Sequence, residues 1–349
     1  MRCRICGSDA IIKIGEVELV ADYRWVVQDC RACGCRFTPH DQSVYDRLHR
    51  SGTMSYYGEY RDLASNARRL FDSGNRRGLS DLLSTFAKYR FVIEHVETQP
   101  TKARLLEVGC SRGYLTSYLI LSGRDILAAD ASAEAIETAK AYFGPHFVLA
   151  DSPLIAASAP YDLIFHVGTI GCVADPIAFT RCLLRLLKPG GRLVFNAPNV
   201  EHCRMPGQLW IDAAPPPDLT TLFPCRFWAE HFLDLAETST EIEMLPSEAA
   251  CALWLRKLSG RNWQPRRLGP IESDGSDAKD VRFSGGSGTR GAWQLLEKAV
   301  RRAVRVTRIA SLVPDWAAPF GQFVTMTRNR EDPSATQADT RSPPAWSEA

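Results

Sequence analysis

From residue 102 onward the chain alternates short apolar runs with segments of helical periodicity, and this alternation constrains the fold more than any other feature. A helix that follows a strand carries the chain back along the sheet, so the alternation predicts a parallel sheet with helices on its faces. The first clear helix begins after Asp175 as N-cap and Pro176, and we expect it to end before Gly190-Gly191. The predicted strands are 104–108, 125–129, 146–150, 161–167 and 192–196.

The composition excludes several classes of protein. The chain has 349 residues, of which 45% are hydrophobic and 23% charged, and it falls outside the ranges of collagen, coiled coil and wholesale disorder. At about 150 residues per domain, this length suggests about two domains. A net charge of +2 indicates no general affinity for nucleic acid or anionic membranes. The sequence shows no apolar run of 18 residues and no signal-peptide core, so we expect a soluble, cytoplasmic protein without a transmembrane segment.

Two cysteine pairs near the amino terminus predict a metal site. The motifs are Cys3-x-x-Cys6-Gly and Cys30-x-x-Cys33-Gly, separated by 23 residues. Four thiolates complete a tetrahedral shell, so the expected ion is a structural Zn²⁺ within a zinc ribbon over residues 1–45. Redox pairs and unliganded cysteines remain alternatives. Cys35 is a surplus thiol, which we expect at the surface.

A glycine-containing turn follows the first predicted strand of the sheet. The segment Glu107-Val-Gly109-Cys-Ser111-Arg-Gly113 precedes a helix whose first N–H groups have no internal partner, an arrangement that suits a polar ligand. Gly109 allows the backbone to approach that ligand, and Gly113 allows the helix to pack closely on the strand. A dinucleotide fingerprint needs a glycine at position 111, where this chain has serine, so a nicotinamide cofactor is disfavoured.

Carboxylates end the next two predicted strands. Asp130 lies 21 residues after Gly109, where it can accept both hydroxyl groups of a ribose, and Asp151 ends the third strand. Each aspartate taken alone is better explained as a helix N-cap or turn residue. Their joint position beside the glycine turn favours a single ligand crevice.

Five segments in order resemble the signature segments of class I S-adenosylmethionine-dependent methyltransferases: LLEVGCSRGYL, ILAADAS, FVLAD, YDLIFHVGTIGCVADP and LLKPGGRLVFNAPN. The amino-terminal part is similar to a subgroup with a CxxC…CxxC zinc-binding segment followed by a tyrosine-rich stretch, here YYGEY at 56–60. The resemblance implies an α/β fold with a doubly wound, Rossmann-like sheet. We expect that sheet to be mostly parallel, with an antiparallel last strand near 320–327.

The resemblance also implies roles for the crevice residues, with S-adenosyl-L-methionine as cofactor. By similarity, Gly109 and its neighbours would face the methionine part of the cofactor, and Glu107 would anchor its amino acid end. Asp130 would bind the ribose and Asp151 the adenine edge. The expected cofactor-binding set is Glu107, Gly109, Ser111, Gly113, Asp130 and Asp151.

The chain departs from these relatives where they often carry a base. A Glu-His pair common after the fourth strand is replaced by TIGCV at 169–173, and Asp218 stands where a histidine often follows a run of prolines. The remaining candidates for a general base are His166 and His202, each of which is also explained as a packed, hydrogen-bonded histidine. The expected lining of the acceptor pocket is Trp210, Asp218 and Phe223.

The rest of the chain falls into segments that differ in composition. A basic amphipathic helix at 292–312 either packs on the core or docks a membrane or RNA. The expected divisions are a helical linker and cofactor cap at 46–101, the methyltransferase core at 102–258, a flexible insertion at 259–291, the basic helix with the final strand at 292–328, and a disordered tail at 329–349.

These features lead to ranked hypotheses of function. The first is methyl transfer to a small-molecule acceptor such as a sugar nucleotide, a glycan precursor or a natural product. The second is an RNA or protein methyltransferase that docks through the zinc ribbon and the basic helix, although the near-neutral charge makes nucleic acid an unlikely partner. The third is a cofactor-binding regulator without turnover. The oligomeric state is left open.

Overall fold

The computed structural model describes residues 2–20, 23–41, 43, 58–203, 209–211, 216, 219–244 and 319–330. Several predictions fall outside these residues. They are the insertion at 259–291, the helix at 292–312, Asp218, the tyrosines at 56 and 57, and the tail from 331 onward.

The described elements form two sheets and the helices that cover them. Three strands belong to the amino-terminal region: β1 (Ile11–Val20), β2 (Tyr23–Cys30) and β3 (Arg36–Phe37). The helices are α1 (Gly58–Asp72), α2 (Arg76–Ser84), α3 (Ala87–Glu97), α4 (Tyr114–Leu121), α5 (Ala133–Phe143), α6 (Pro153–Ala157), α7 (Pro176–Leu186) and α8 (Phe227–Phe232). The remaining strands are β4 (Arg104–Val108), β5 (Asp125–Asp130), β6 (Phe147–Leu149), β7 (Tyr161–His166), β8 (Leu187–Pro198), β9 (Thr221–Leu222), β10 (Ala236–Met244) and β11 (Pro319–Arg328).

The larger sheet has seven strands in the order β10-β11-β8-β7-β4-β5-β6. Strands β4 to β8 pair in parallel, whereas β11 runs antiparallel to both of its neighbours. This topology confirms the predicted doubly wound sheet with an antiparallel last strand. The carboxyl ends of the parallel strands meet at one edge of the sheet, where ligands bind in such folds.

Both faces of this sheet are covered, which explains why its central strands are apolar almost throughout. In β4 only Arg104, the first residue, is exposed, and the other four residues are buried. One face packs against α1 to α5, and the opposite face packs against α7, α8 and the cysteine-rich region. The described part of the segment between 58 and 97 is mostly helical. Among the described residues no helix has the length and apolarity that crossing a membrane requires.

Helix α7 begins as predicted and ends before the two glycines. The Asp175 side chain accepts a hydrogen bond from the Ala178 amide at 2.9 Å, as an N-cap does. The helix ends at Leu186, and β8 already begins at Leu187, so Gly190-Gly191 lie past the helix as expected but within a strand. Pro189 helps to end the helix, because a proline disfavours the helical conformation of the residue before it.

The smaller sheet joins the amino-terminal region to the core. Its order is β1-β2-β3-β9, so the fourth strand comes from residues 221–222 of the core. The pairing is antiparallel, with Arg36 opposite Leu222 and Phe37 opposite Thr221. The zinc-ribbon region therefore shares a sheet with the chain that follows β8.

Candidate active site and metal centre

The turn between β4 and α4 lies at the carboxyl edge of the sheet and is held by the neighbouring strand. The amides of Gly109 and Cys110 both donate to the carbonyl oxygen of Ala129, at 2.7 and 3.0 Å. Ser111 has a φ of 49°, the single non-glycine residue with positive φ in the described part of the chain. A left-handed conformation at a serine costs on the order of 1 kcal/mol, so the surrounding contacts must impose it.

Asp130 is the group that imposes this conformation. One carboxylate oxygen accepts the Ser111 amide at 2.7 Å and the other accepts the Ser132 amide at 2.8 Å. Burial raises the pKa of Asp130, whereas these amide hydrogen bonds lower it. Each oxygen keeps a free lone pair, so the side chain can close the turn and still accept a hydroxyl group of a ligand.

Glycine is required at two positions of this turn, because a Cβ would clash with neighbouring side chains and because φ is positive. A Cβ on Gly109 would lie 2.2 Å from the Thr169 hydroxyl oxygen, and a Cβ on Gly113 would lie 2.6 Å from the ring of Phe147. Both glycines have positive φ, of 77° and 76°. The turn therefore packs tightly against the strand ends on either side, and it leaves its outer surface to a ligand.

Glu107 lies beneath the turn on the face covered by α4. Its side chain is buried and accepts a hydrogen bond from the Thr116 hydroxyl. Burial raises the pKa of Glu107 to about 7, with a smaller contribution from the charge of Asp130. A carboxyl that titrates near neutrality at the base of a crevice is suited to bind a cationic group, which would stabilise its charged form.

Asp151 completes the carboxylate set. The Ala150 amide donates to the Asp130 carbonyl oxygen at 3.0 Å, so Asp130 and Asp151 lie at the ends of neighbouring strands. The Asp151 side chain is exposed, and the exposed apolar side chains of Leu149 and Leu154 flank it in sequence. An exposed carboxylate beside apolar side chains suits the polar edge of a flat aromatic ring.

The opposite side of the crevice follows β7 and β8. The Gly168 amide donates to the Asn196 side-chain oxygen at 2.8 Å, and the Thr169 hydroxyl donates to the Val108 carbonyl oxygen at 3.3 Å. Sequence reasoning did not select Thr169 or Asn196 as site residues. The available signal was that both are polar residues at the carboxyl ends of predicted strands.

The His166 side chain packs on the face of the sheet that α7 covers. Its ring is fully buried, stacks on Phe195 with centroids 4.5 Å apart, and meets the edge of Phe179 at 5.5 Å. Neither ring nitrogen has a hydrogen-bond partner, and burial lowers the pKa of His166 to about 3. These properties make a weak base with no route for its proton, so they disfavour the general-base role predicted for it.

The other residues expected on the acceptor side are also buried. His202 lies in a short 3-10 turn, Val200–Cys203, and is 6% exposed. Trp210 packs with Val17 and Val27 beneath the β1-β2 hairpin, and Phe223 lies in the main core, so the expectation that they line a pocket is not met. Large apolar side chains here fill the junction between the two sheets.

The four cysteines selected by their spacing come together. Their sulfur atoms all lie within 4.8 Å of one another, with Cys3 and Cys33 at 3.9 Å and Cys6 and Cys30 at 3.7 Å. Tetrahedral Zn²⁺ with Zn–S bonds of about 2.3 Å holds its sulfur ligands about 3.8 Å apart. The donor set and its spacing therefore fit a structural zinc ion. Cys35 is outside the group but fully buried, whereas we expected it at the surface.

Comparison with known proteins agrees with this site. Residues 71–235 match the family described as Methyltransferase domain. The ubiquinone biosynthesis O-methyltransferase of Cereibacter sphaeroides is 31% identical over 102 residues, which is 28% of this chain and 41% of that protein. The protein of the same name from Parvibaculum lavamentivorans is 34% identical over 100 residues, which is 27% of this chain and 39% of that protein.

The matched part spans only about two fifths of the length of these relatives. Among solved structures, a SAM-dependent methyltransferase from Archaeoglobus fulgidus is similar with a TM-score of 0.40 and 13% identity, over 69% of this chain and 92% of that one. The family match coincides with the parallel sheet, the glycine turn and the strand-end carboxylates described above. Residues 71–235 of this chain are therefore similar to a methyltransferase domain.

Proposed function

We propose that this protein transfers a methyl group from S-adenosyl-L-methionine to a small-molecule acceptor. The main support for the proposal is the turn at 109–113 at the carboxyl edge of a parallel sheet. Its Ser111 amide donates a hydrogen bond to the Asp130 carboxylate. The names of the similar proteins refer to O-methylation in ubiquinone biosynthesis, which supports a small molecule as the acceptor. The near-neutral net charge also supports it.

In this proposal each polar group of the crevice binds one part of the cofactor. The turn at 109–113 faces the methionine portion, and Glu107 beneath it neutralises the ammonium group, directly or through water. Asp130 accepts the ribose hydroxyl groups, and Asp151 on the next strand accepts from the adenine amino group. These roles require free lone pairs on both aspartates, which the hydrogen bonds of the structure leave available.

The chemistry needs little from the protein beyond alignment. When bound, the cofactor supplies a methyl group on a positively charged sulfur, whose thioether is a good leaving group. Holding the acceptor in line with that methyl group can account for much of the acceleration. A general base would add about 10²- to 10⁴-fold by removing the acceptor's proton. His166 and His202 stay candidates for that base, and the burial of His166 counts against it.

The cysteine group has a structural role in the same proposal. Four sulfur ligands leave no open coordination position, so a bound Zn²⁺ would stabilise the ribbon and take no part in the reaction. Binding of the metal would contribute to the folding of a segment that is too short to build its own core.

Incubation of the metal-loaded protein with methyl-labelled S-adenosylmethionine and fractionated extracts tests the proposal. We expect label in the small-molecule fraction and none above background in the RNA and protein fractions. The matched control is Asp130→Ala, which should incorporate little label at a subsaturating cofactor concentration. Label confined to RNA or protein would refute the small-molecule acceptor. The absence of label in every fraction, despite cofactor binding, would favour a regulator without turnover.

A further inference from the structure

Arg4 occupies an unusual position between the metal centre and the acceptor side of the crevice. It follows Cys3 directly in the chain, and its guanidinium group donates to several acceptors, most of which belong to the core and not to the ribbon. The acceptors are the carbonyl oxygens of Thr38 (3.0 Å), Ala174 (2.7 Å), Val173 (3.4 Å) and Thr220 (2.9 Å), the Thr220 hydroxyl (3.0 Å) and the Thr221 hydroxyl.

Two of these contacts are made to segment 168–174, which follows β7 at the crevice. The Gly171 carbonyl oxygen accepts the amides of Thr220 and Thr221, at 2.8 and 3.1 Å, and the Thr220 hydroxyl at 3.2 Å. Arg4 binds Val173 and Ala174 of this segment on one side and Thr220 and Thr221 on the other. One guanidinium group therefore fixes two pieces of chain against each other.

The backbone of Arg4 is itself fixed by the cysteine knuckle. The Cys3 amide donates to the Ser8 carbonyl oxygen at 2.7 Å, and the Gly7 amide donates to the Cys3 carbonyl oxygen at 2.9 Å. A metal ion on the Cys3 sulfur would hold the knuckle in this conformation. A rigid fork with five donors can satisfy carbonyl oxygens in several directions, which the ammonium group of a lysine cannot do from one point.

A second arginine of the ribbon makes a similar connection. Arg36 forms a two-pronged ion pair with Asp29, at 2.7 and 3.0 Å, and donates to the carbonyl oxygens of Cys203 and Leu209, both at 3.0 Å. These carbonyls belong to the chain between β8 and β9. The ribbon thus holds the backbone on the acceptor side at two independent points.

We propose that Arg4 is a positioning residue that couples the cysteine metal centre to the conformation of segment 168–174 on the acceptor side of the crevice. The description of this side as the acceptor side rests on the proposed function, whereas the coupling itself does not. The consequence is that loss of the metal, or of the Arg4 guanidinium group, loosens segment 168–174 and strand β9 while the cofactor side keeps its shape.

Amide hydrogen exchange on the metal-loaded full chain tests this inference, with Arg4→Ala, Arg4→Lys and the exposed-site control Lys13→Ala. We expect Arg4→Ala to retain one zinc per chain and to bind S-adenosylhomocysteine within about threefold of the wild type. The amides of Thr220 and Thr221 and of segment 168–174 should exchange about tenfold faster or more, because several hydrogen bonds are lost. Arg4→Lys should lie between Arg4→Ala and the wild type, and Lys13→Ala should match the wild type.

Two results would overturn the inference. The first is unchanged exchange at these amides in a folded, zinc-containing Arg4→Ala protein. The second is faster exchange throughout the core, α4 included, together with lost binding of S-adenosylhomocysteine, which would show a general structural role. If Arg4→Ala does not fold, chelation of the metal from the wild type must loosen these same amides, and their full protection after metal loss would refute the coupling. A wild-type protein that fails to bind S-adenosylhomocysteine would contradict the proposed function and leave the exchange test intact.

Discussion

The two sides of the crevice are built in different ways. On the cofactor side the decisive contacts join residues close in sequence, such as Thr116 to Glu107, nine positions apart, and Ser111 to Asp130, 19 positions apart. On the acceptor side, Arg4 contacts Ala174 and Thr221 across 170 and 217 positions. The cofactor side can therefore form from one strand-turn-helix unit and its neighbour, whereas the acceptor side depends on the ribbon.

This difference suggests that the two sides can change separately. The contacts within the cofactor side involve residues 107–132 and Phe147, none of which belongs to the ribbon. The ribbon contacts involve the segments after β7 and β8, and sequence change in these segments can alter the acceptor without altering the cofactor. The following variants test whether the two sides of the crevice are independent.

Removal of the metal should have the largest effect. Cys30→Ser should lose zinc and the fold of the ribbon, since structural zinc sites supply roughly 10–16 kcal/mol of apparent binding energy. S-adenosylhomocysteine should still bind within about threefold, because none of the hydrogen bonds described above joins the ribbon to the cofactor side. Metal analysis and calorimetry measure both quantities. Cys182→Ser, outside the metal group, is the control. Equal loss of zinc and of cofactor binding would show that the two sides are not separate.

Gly109→Ala should mainly disrupt the cofactor side. Its Cβ would meet the Thr169 hydroxyl oxygen at 2.2 Å, so the turn must shift, at about 1–3 kcal/mol. We expect the dissociation constant for S-adenosylhomocysteine to rise about tenfold or more. Gly123→Ala is a matched control, because Gly123 also has positive φ, at 66°, but has open space around its Cβ position. It should lose only about 1 kcal/mol of stability. Equal effects of both variants on affinity would contradict the account.

Asp130→Ala should weaken S-adenosylmethionine binding by about 1–3 kcal/mol, because it removes the proposed ribose acceptor and frees the Ser111 amide. Isothermal titration calorimetry measures the change. Asp125→Ala, at the opposite end of β5 with a side chain 64% exposed, should bind as the wild type does. An unchanged affinity in Asp130→Ala would remove this residue from the site.

Glu107→Gln should bind the cofactor more weakly than the wild type and should be more stable at pH 8. Burial raises the pKa of Glu107 from 4.5 to about 7, so the folded protein favours the protonated form. The stability that this form contributes is complete below pH 4.5 and is lost as the pH rises through 7, by about 3.4 kcal/mol. The variant should therefore be more stable than the wild type at pH 8 and equal to it near pH 4.5.

Chemical unfolding of the cofactor-free protein at both pH values measures this gain. Calorimetry at pH 8 should show weaker binding of S-adenosylhomocysteine to the same variant. A variant that is less stable than the wild type at pH 8, or that binds the ligand equally well, would contradict the role proposed for Glu107.

His166→Leu should have the smallest effect on turnover. Because the pKa of His166 is lowered from 6.5 to about 3, wild-type stability should fall as the pH drops from 6.5 towards 3, by about 2 kcal/mol at pH 5. The variant should lose less stability over this range and should methylate at a rate within about threefold of the wild type at pH 7. A fall of a hundredfold or more, with unchanged cofactor affinity, would instead establish His166 as the base.

Sequence reasoning succeeded where structure follows from neighbouring residues. Strand β4 was predicted at its observed bounds from a short apolar run, and in the structure an exposed arginine precedes four buried residues. The four cysteines come together as their spacing indicated. Sequence reasoning failed where contacts between residues far apart in the sequence determine the structure. Trp210 was expected in a pocket but packs beneath the ribbon hairpin, and nothing around Arg4 in sequence indicates partners about 170 positions away.

The central claim is that the carboxyl edge of β4 and β5 binds S-adenosylmethionine. Calorimetric titration of the metal-loaded wild type with S-adenosylhomocysteine, alongside Gly109→Ala, tests it most directly. The account predicts saturable binding of one molecule per chain to the wild type and binding at least about tenfold weaker to the variant. Absence of binding to the folded wild type, or equal binding to both proteins, would contradict it.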